Sequence, residues 1–431
     1  MNERSIRSII HQSLREVGAI DPHSHLNRQH PGARNIADIL LYHHVWIELV
    51  SSGMPQKEVS IHGLPQEMGD PGMDPLERVE RAKKYFGNIR NTLSATFVRW
   101  ILRDLFEWDK DVEVSDMAAL QRRVEQTTSR AGWAEEVFQK HCGIQCSISV
   151  AEGQEDPTGK ILRAAETLGM VNIVNGKQSE QEILRERETE YGRDIRTAHD
   201  YRAYVQRQLD RTPLESYRFL GAWVVPQLTE EMATEEGITA ILGKIRDGRR
   251  LTEEESGSFS FFGLCASLEH LRRSRLRTIQ VIVGAEVLPP HRSITQWSGR
   301  FPRAMARIAG MFEDFHFNIS SASDHYLHDI AILAKHVPNI SVAGYWWHTL
   351  YPHYIRKALE TRLDIVPANK IVAFFSDAYH CEWCYPKIRL VKAILEDILI
   401  ERVVKERYSL DTALKLITTI FLQAPSAIYL S

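Results

Sequence analysis

The strongest constraint on this 431-residue chain is a recurrence of eight short apolar runs separated by longer segments of helical periodicity. The runs cover residues 17–20, 144–150, 219–225, 259–264, 278–283, 315–319, 340–344 and 371–375. A strand buried on both faces reads as continuous rather than alternating, which marks a parallel sheet covered by helices. Eight such strands alternating with helices predict an α/β fold, a (β/α)8 TIM barrel, as a single domain over residues 1–431. An open doubly wound sheet needs a Gly-rich phosphate loop after an early strand, and the sequence has none.

The connection after the first run is long. Residues 55–140 carry helical patterns at 92–108 and 117–141 and the prolines Pro55, Pro65, Pro71 and Pro75, with no strand signal. They read as a helical insertion after strand one. Loops that follow barrel strands build the active site, so this insertion is expected to form part of its roof.

Composition narrows the partners. The formal net charge is -3, which gives no reason to expect nucleic acid. No run of 18 apolar residues is present, so no membrane span is expected. The first residues lack the apolar stretch and cleavage site of a signal peptide, and five cysteines in this length form no disulfide framework; a cytoplasmic home is expected. Cys381-x-x-Cys384 and Cys142-x3-Cys146 each stand without a second pair at finger spacing and read as incidental thiols. The oligomeric state is left open, a homo-oligomer included.

The sharpest local motif is Asp21-Pro22-His23-Ser24-His25-Leu26 at the end of the first run. Histidines at i and i+2 of an extended segment point to the same side, and two neutral imidazoles there can bind one cation. A pair of hydrogen-bonded loop histidines is the plainer alternative. The second motif is Ser376-Asp377-Ala378-Tyr379-His380, directly after the last run. In a closed barrel the last strand lies beside the first, so Asp377 faces His23 and His25 across the mouth. There it can bind the metal and act as general base; an N-cap for the next helix is the alternative. One divalent ion is expected at these three residues, zinc first, with manganese, iron and nickel also suited to imidazole and carboxylate.

The opening Asp21-x-His23-x-His25-Leu26, the segment Leu40-Leu41-Tyr42-His43-His44, the strand end Gly344-Tyr345-Trp346-Trp347 and the final Ser376-Asp377 together resemble the uronate isomerase family, a branch of the amidohydrolase superfamily. The similarity is distant but runs from about residue 15 to 425, best from 340 to 398. It implies a metal-dependent-hydrolase-like barrel with one divalent metal, interconverting aldose and ketose forms of a hexuronate such as glucuronate or galacturonate. On this resemblance His23 and His25 are metal ligands, Asp377 is the metal-linked aspartate that moves the proton, and Tyr42 reaches the site, where it or Tyr379 assists. His43 beside it, and Trp347 in the aromatic segment that is partly pocket wall and partly packing, are candidates for contact with a small sugar-acid substrate.

The departures bear on the substrate. Hydrolytic relatives add a lysine from strand four and histidines from strands five and six. Taken as the fourth strand, 259–264 is followed by Cys265-Ala266-Ser267 without lysine, and the fifth ends Gly284-Ala285-Glu286 without histidine. After the sixth, His325 or His328 can contribute. The isomerases follow their aspartate with an arginine two residues on, where this chain has Tyr379. A carboxylate substrate wants a bidentate guanidinium, which tyrosine cannot supply; Arg292 and Arg300 are the nearest replacements in sequence reading, though each is more often a surface residue. The alternative function is therefore a metal-dependent hydrolase or decarboxylase of the superfamily acting on another sugar-acid-like substrate.

Overall fold

A computed structural model describes residues 2–55, 73–151, 156, 159–165, 170–173, 178–288 and 292–431. The chain forms two compact units, Met1–Ile161 with Phe375–Val404, and Leu162–Phe374 with Lys405–Ser431.

The first unit begins with the helix Glu3–Glu16, capped by the Asn2 side chain and buried through Ile6, Ile10 and Leu14. Strand β1 (Ala19–Ser24) follows and pairs in parallel with β2 (Ile144–Ser149). The strand runs on through Asp21-Pro22-His23, past the end of the apolar run at residue 20. A register shift between Asp21 and Ser24 explains how: proline cannot donate to a ladder, and a bulge removes the need. The described part of residues 55–140 is helical, including Leu93–Phe106 and Met117–Thr128, with no strand among the described residues; Pro65 and Pro71 lie outside them. The unit is completed by the 24-residue helix Cys381–Val404, which packs on Glu3–Glu16 and Leu93–Phe106.

In the second unit β3 (Ile161–Ala165), which starts at the unit boundary, pairs with β4 (Tyr217–Trp223). β4 pairs with β5 (Thr278–Val283), β5 with β8 (His316–Ser321), and β8 with β9 (Ile340–Val342), all in parallel. Between β5 and β8 a small antiparallel hairpin is formed by β6 (Ala285–Leu288) and β7 (Arg292–Thr295). The main sheet has seven strands in the order β1-β2-β3-β4-β5-β8-β9. The eighth segment is extended rather than ladder-forming: Ile371 bridges to Val342, and farther along Asp377 N–H donates to His23 C=O at 2.9 Å and His25 N–H to Ala378 C=O at 2.8 Å. Strands following one another in this order, with helices between, are the (β/α)8 barrel.

One expected strand is wrong. Residues 259–264 lie inside the helix Glu253–Leu271. Its start is a capping box between Thr252 and Glu255 with three glutamates in the first turn, favourable at the positive end of the helix. Nearly everything from Gly257 to Leu268 is buried, so the helix has no polar stripe and its sequence imitates a buried strand. It lies so close to its neighbours that a Cβ on Gly257 would stand 2.0 Å from Gln227 O. The strand missed is β3, Ile-Leu-Arg-Ala-Ala, too short and too weakly β-branched to signal itself. The fourth strand is thus β4, which ends at Trp223 and runs into Val224-Val225-Pro226; it too is followed by no lysine. No helix among the described residues is long and apolar enough to cross a membrane.

Candidate metal centre

β1 is buried along its whole length, and His23 near its end and His25 just past it have ring centroids 5.2 Å apart. His23 is 2% exposed and Asp377 5%. The Asp377 Oδ1 oxygen lies 3.5 Å from His23 Nε2 and 3.3 Å from His25 Nε2. One ligand atom from each of the three can be chosen so that all lie within 4.8 Å of one another. Two metal–ligand bonds of about 2.0–2.1 Å at a tetrahedral angle put their donor atoms about 3.3 Å apart. The separations therefore fit a shared ion, and two imidazoles with one carboxylate leave coordination positions open, as catalytic sites require.

The carboxylate is held from several directions. Asp377 takes a left-handed backbone, φ 50°, which a non-glycine residue adopts only when its surroundings impose it. Its carbonyl accepts from the Tyr42 hydroxyl at 3.1 Å and the Lys387 ammonium at 3.2 Å, and Lys387 also donates to Ser376 C=O at 2.5 Å. Burial alone would raise the Asp377 pKa. Hydrogen bonds from His23 and His25, with the charges of His25 and Lys387, outweigh it and hold the carboxyl well below its usual range.

Behind the centre, Asp21 ties three segments together. Its Oδ1 accepts from Ser376 N–H at 2.7 Å, and its Oδ2 accepts from the Ser376 and Ser147 hydroxyls at 2.7 and 2.8 Å. Asp21 is fully buried, and burial pushes its pKa up against those bonds, which lower it.

An aromatic and imidazole cluster surrounds these three residues. Tyr379 stacks on His25 with ring centroids 4.5 Å apart and planes 8° from parallel. Tyr42 is fully buried and stacked on Trp383 at 4.0 Å. Burial, the Asp377 charge and Tyr379 push its phenol pKa well up. His43 Nε2 lies 3.1 Å from His44 Nε2, a distance at which one ring donates to the other. Burial and the neighbouring His44 and Lys387 push His43 well below its usual pKa, so it is neutral at pH 7.

The residues named from sequence thus divide. His23, His25, Asp377, Tyr42, His43 and Tyr379 come together in the first unit. Arg300 belongs to the second unit, where it pairs with Glu231 at 3.1 Å and Glu254 at 3.7 Å while 44% exposed, as surface arginines do. The Arg292 backbone opens β7; its side chain lies outside the described residues. His325 and His328 are both exposed. Trp347 is half-buried, with φ 45°, stacked on Trp346 at 5.1 Å and edge-on to Trp223. Sequence reading gave no role to Asp21, His44, Trp383 or Lys387. Asp21 shares the alternation of the two histidines and could have been found that way. Lys387, 1% exposed within a helix, carries no signal, because lysines are ordinarily surface residues.

No known family profile and no curated protein matches the sequence. Solved structures do. The uronate isomerase of Thermotoga maritima superposes with TM-score 0.79 at 13% identity, over 99% of this chain and 97% of that one. The glucuronate isomerase of Caulobacter crescentus gives 0.79 at 15% over 99% and 94%, and a uronate isomerase of Bacillus halodurans 0.75 at 14% over 100% and 97%. A provisionally described metal-dependent hydrolase of Lactobacillus casei is less similar, with TM-score 0.58 at 13% over 97% and 96%. At such identities the likeness establishes the fold.

Proposed function

We propose that this chain is a metal-dependent isomerase that interconverts the aldose and ketose forms of a hexuronate. The observation that carries the reading is the His23–His25–Asp377 trio at the end of β1, in a chain whose whole length has the fold of uronate isomerases. A divalent ion held by these three residues, zinc before manganese, iron or nickel, would supply Lewis-acid polarisation worth several kcal/mol.

The chain's own residues do the rest. Asp377, ionised at neutral pH, takes the proton from C2 of the open-chain sugar and returns it at C1, giving an enediol between the two steps. O1 must gain a proton as O2 loses one. The His43–His44 pair suits that exchange: it is hydrogen-bonded, neutral at His43 and half-exposed at His44. Tyr42, its hydroxyl committed to the Asp377 carbonyl, acts by holding the base. Tyr379 fixes the His25 ring and is close enough to the ligands to assist with its phenol. The reading further makes this a cytoplasmic enzyme of sugar-acid metabolism.

Proton NMR of the metal-reconstituted protein with D-glucuronate and D-galacturonate in deuterated water tests this. Ketouronate should appear with deuterium at C1 or C2. Absence of product and of exchange, in protein shown to hold its metal, would refute it. A second reading, hydrolysis or decarboxylation of another sugar-acid derivative, is supported by Tyr379 standing where a guanidinium would serve a carboxylate, and by the hydrolase-like structural neighbour. Under both readings His25→Ala should lower metal content from about one ion per chain to well below one by elemental analysis, because a two-ligand site binds far more weakly.

A further inference from the structure

We infer that Lys387 is a positioning residue for the metal centre: its buried ammonium grips the peptide of Asp377 and thereby aims the carboxylate at the two histidines. The inference rests on the metal-centre reading above.

A lysine that is 1% exposed is costly unless its charge is met. Here no carboxylate lies within ion-pair distance of it among the described residues. Its hydrogen bonds go to two consecutive backbone carbonyls, Ser376 C=O at 2.5 Å and Asp377 C=O at 3.2 Å, and its ammonium lies 5.5 Å from the centre of the Tyr42 ring. Those carbonyls flank the one backbone torsion at the site that an L-residue resists, Asp377 φ 50°. Strain of this type persists only where neighbours over-determine it.

The neighbours do so from both sides. Asp377 N–H is held by His23 C=O at 2.9 Å, and its carbonyl by Tyr42 at 3.1 Å and Lys387. Lys387 lies ten positions after Asp377, so the lysine returns from the following helix to the turn it serves. The nearby Lys392 gives the contrast: it is also largely buried, and it caps Val17 C=O at 3.4 Å and Cys142 C=O at 3.3 Å, just ahead of β1 and β2. Outer partners that orient ligands typically contribute 10–100-fold in metal affinity. Lys387→Met takes the donor from Ser376 C=O but leaves Tyr42 on Asp377 C=O, so folding stability should fall as well as metal affinity.

The test is competition of full-length apoprotein against a chromophoric chelator for Zn(II), with Co(II) absorption as a reporter of ligand geometry and thermal melting of each apoprotein. Lys387→Met is expected to weaken metal binding 10–100-fold and alter the Co(II) ligand-field bands, with the apoprotein still melting cooperatively at a somewhat lower temperature than wild type. Lys387→Arg, which can reach the same carbonyls, should recover part of the affinity, and Lys392→Met should leave it within about threefold of wild type. Tyr42→Phe removes the other side-chain donor to the same carbonyl and should weaken binding in the same sense, which keeps the inference testable if Lys387→Met does not fold. Wild-type affinity and spectrum in Lys387→Met, or in Tyr42→Phe where that variant must stand in, would overturn the positioning role and leave the metal centre standing; so would an equal loss in Lys392→Met. Failure of the wild type itself to bind one ion per chain would overturn both.

Discussion

Asp377→Asn is expected to lower kcat/KM by about 10³-fold or more on whichever substrate the wild type turns over, a loss of about 4 kcal/mol of transition-state stabilisation. The substitution keeps the shape of the side chain and removes both its charge and its capacity to accept a proton. Two functions meet in this one group: Oδ1 is within 3.5 Å of His23 and 3.3 Å of His25, and the same carboxylate is the base proposed for C2. The two can be separated. Saturating metal should restore occupancy in Asp377→Asn but not turnover, because an amide cannot replace the base. Initial rates by NMR at several metal concentrations decide it: recovery of wild-type turnover at high metal would reduce Asp377 to a ligand, and an unchanged rate throughout would remove it from the reaction.

Asp21→Ala is expected to destabilise the apoprotein by about 3–5 kcal/mol, which urea denaturation of metal-free protein measures directly. Its carboxylate accepts three hydrogen bonds, from Ser376 N–H and from the hydroxyls of Ser376 and Ser147. The Ser147 hydroxyl can keep its other partner, Ser24 Oγ at 2.9 Å, but the Ser376 amide is buried with nothing to replace Asp21. An orphaned buried donor costs about 1–3 kcal/mol, and the lost contacts and the small cavity add to it. Asp21→Asn, which keeps one acceptor oxygen and the volume, should cost about half as much. A loss below about 1 kcal/mol in the alanine variant would mean that the β1, β2 and eighth-segment junction does not depend on Asp21. The order of effects separates the two aspartates: Asp21 variants lose stability first, Asp377 variants lose function first.

The legible part of this protein was whatever depends on local order. The runs at 278–283 and 144–150 became β5 and β2 almost residue for residue, because a parallel strand buried on both faces must be continuously apolar. His23 and His25 were singled out because extended backbone alternates its side chains, and Asp377 because it follows the last run of a fold that closes on its first strand; the structure brings the three together. The strand misplaced at 259–264 failed for the same physical reason that the others succeeded: burial on every side removes the periodicity that separates helix from strand, and only the capping at Thr252 and Glu255 distinguishes them. What tertiary structure alone decided is how the site is supported. The reach of Lys387 across ten residues to the Asp377 carbonyl, the commitment of the Tyr42 hydroxyl to that same oxygen, and the joining of three segments by Asp21 are contacts between groups distant in sequence or turned inward by packing. A residue's type states which hydrogen bonds it can make. Which it does make is set by the neighbours that folding brings within about 3 Å.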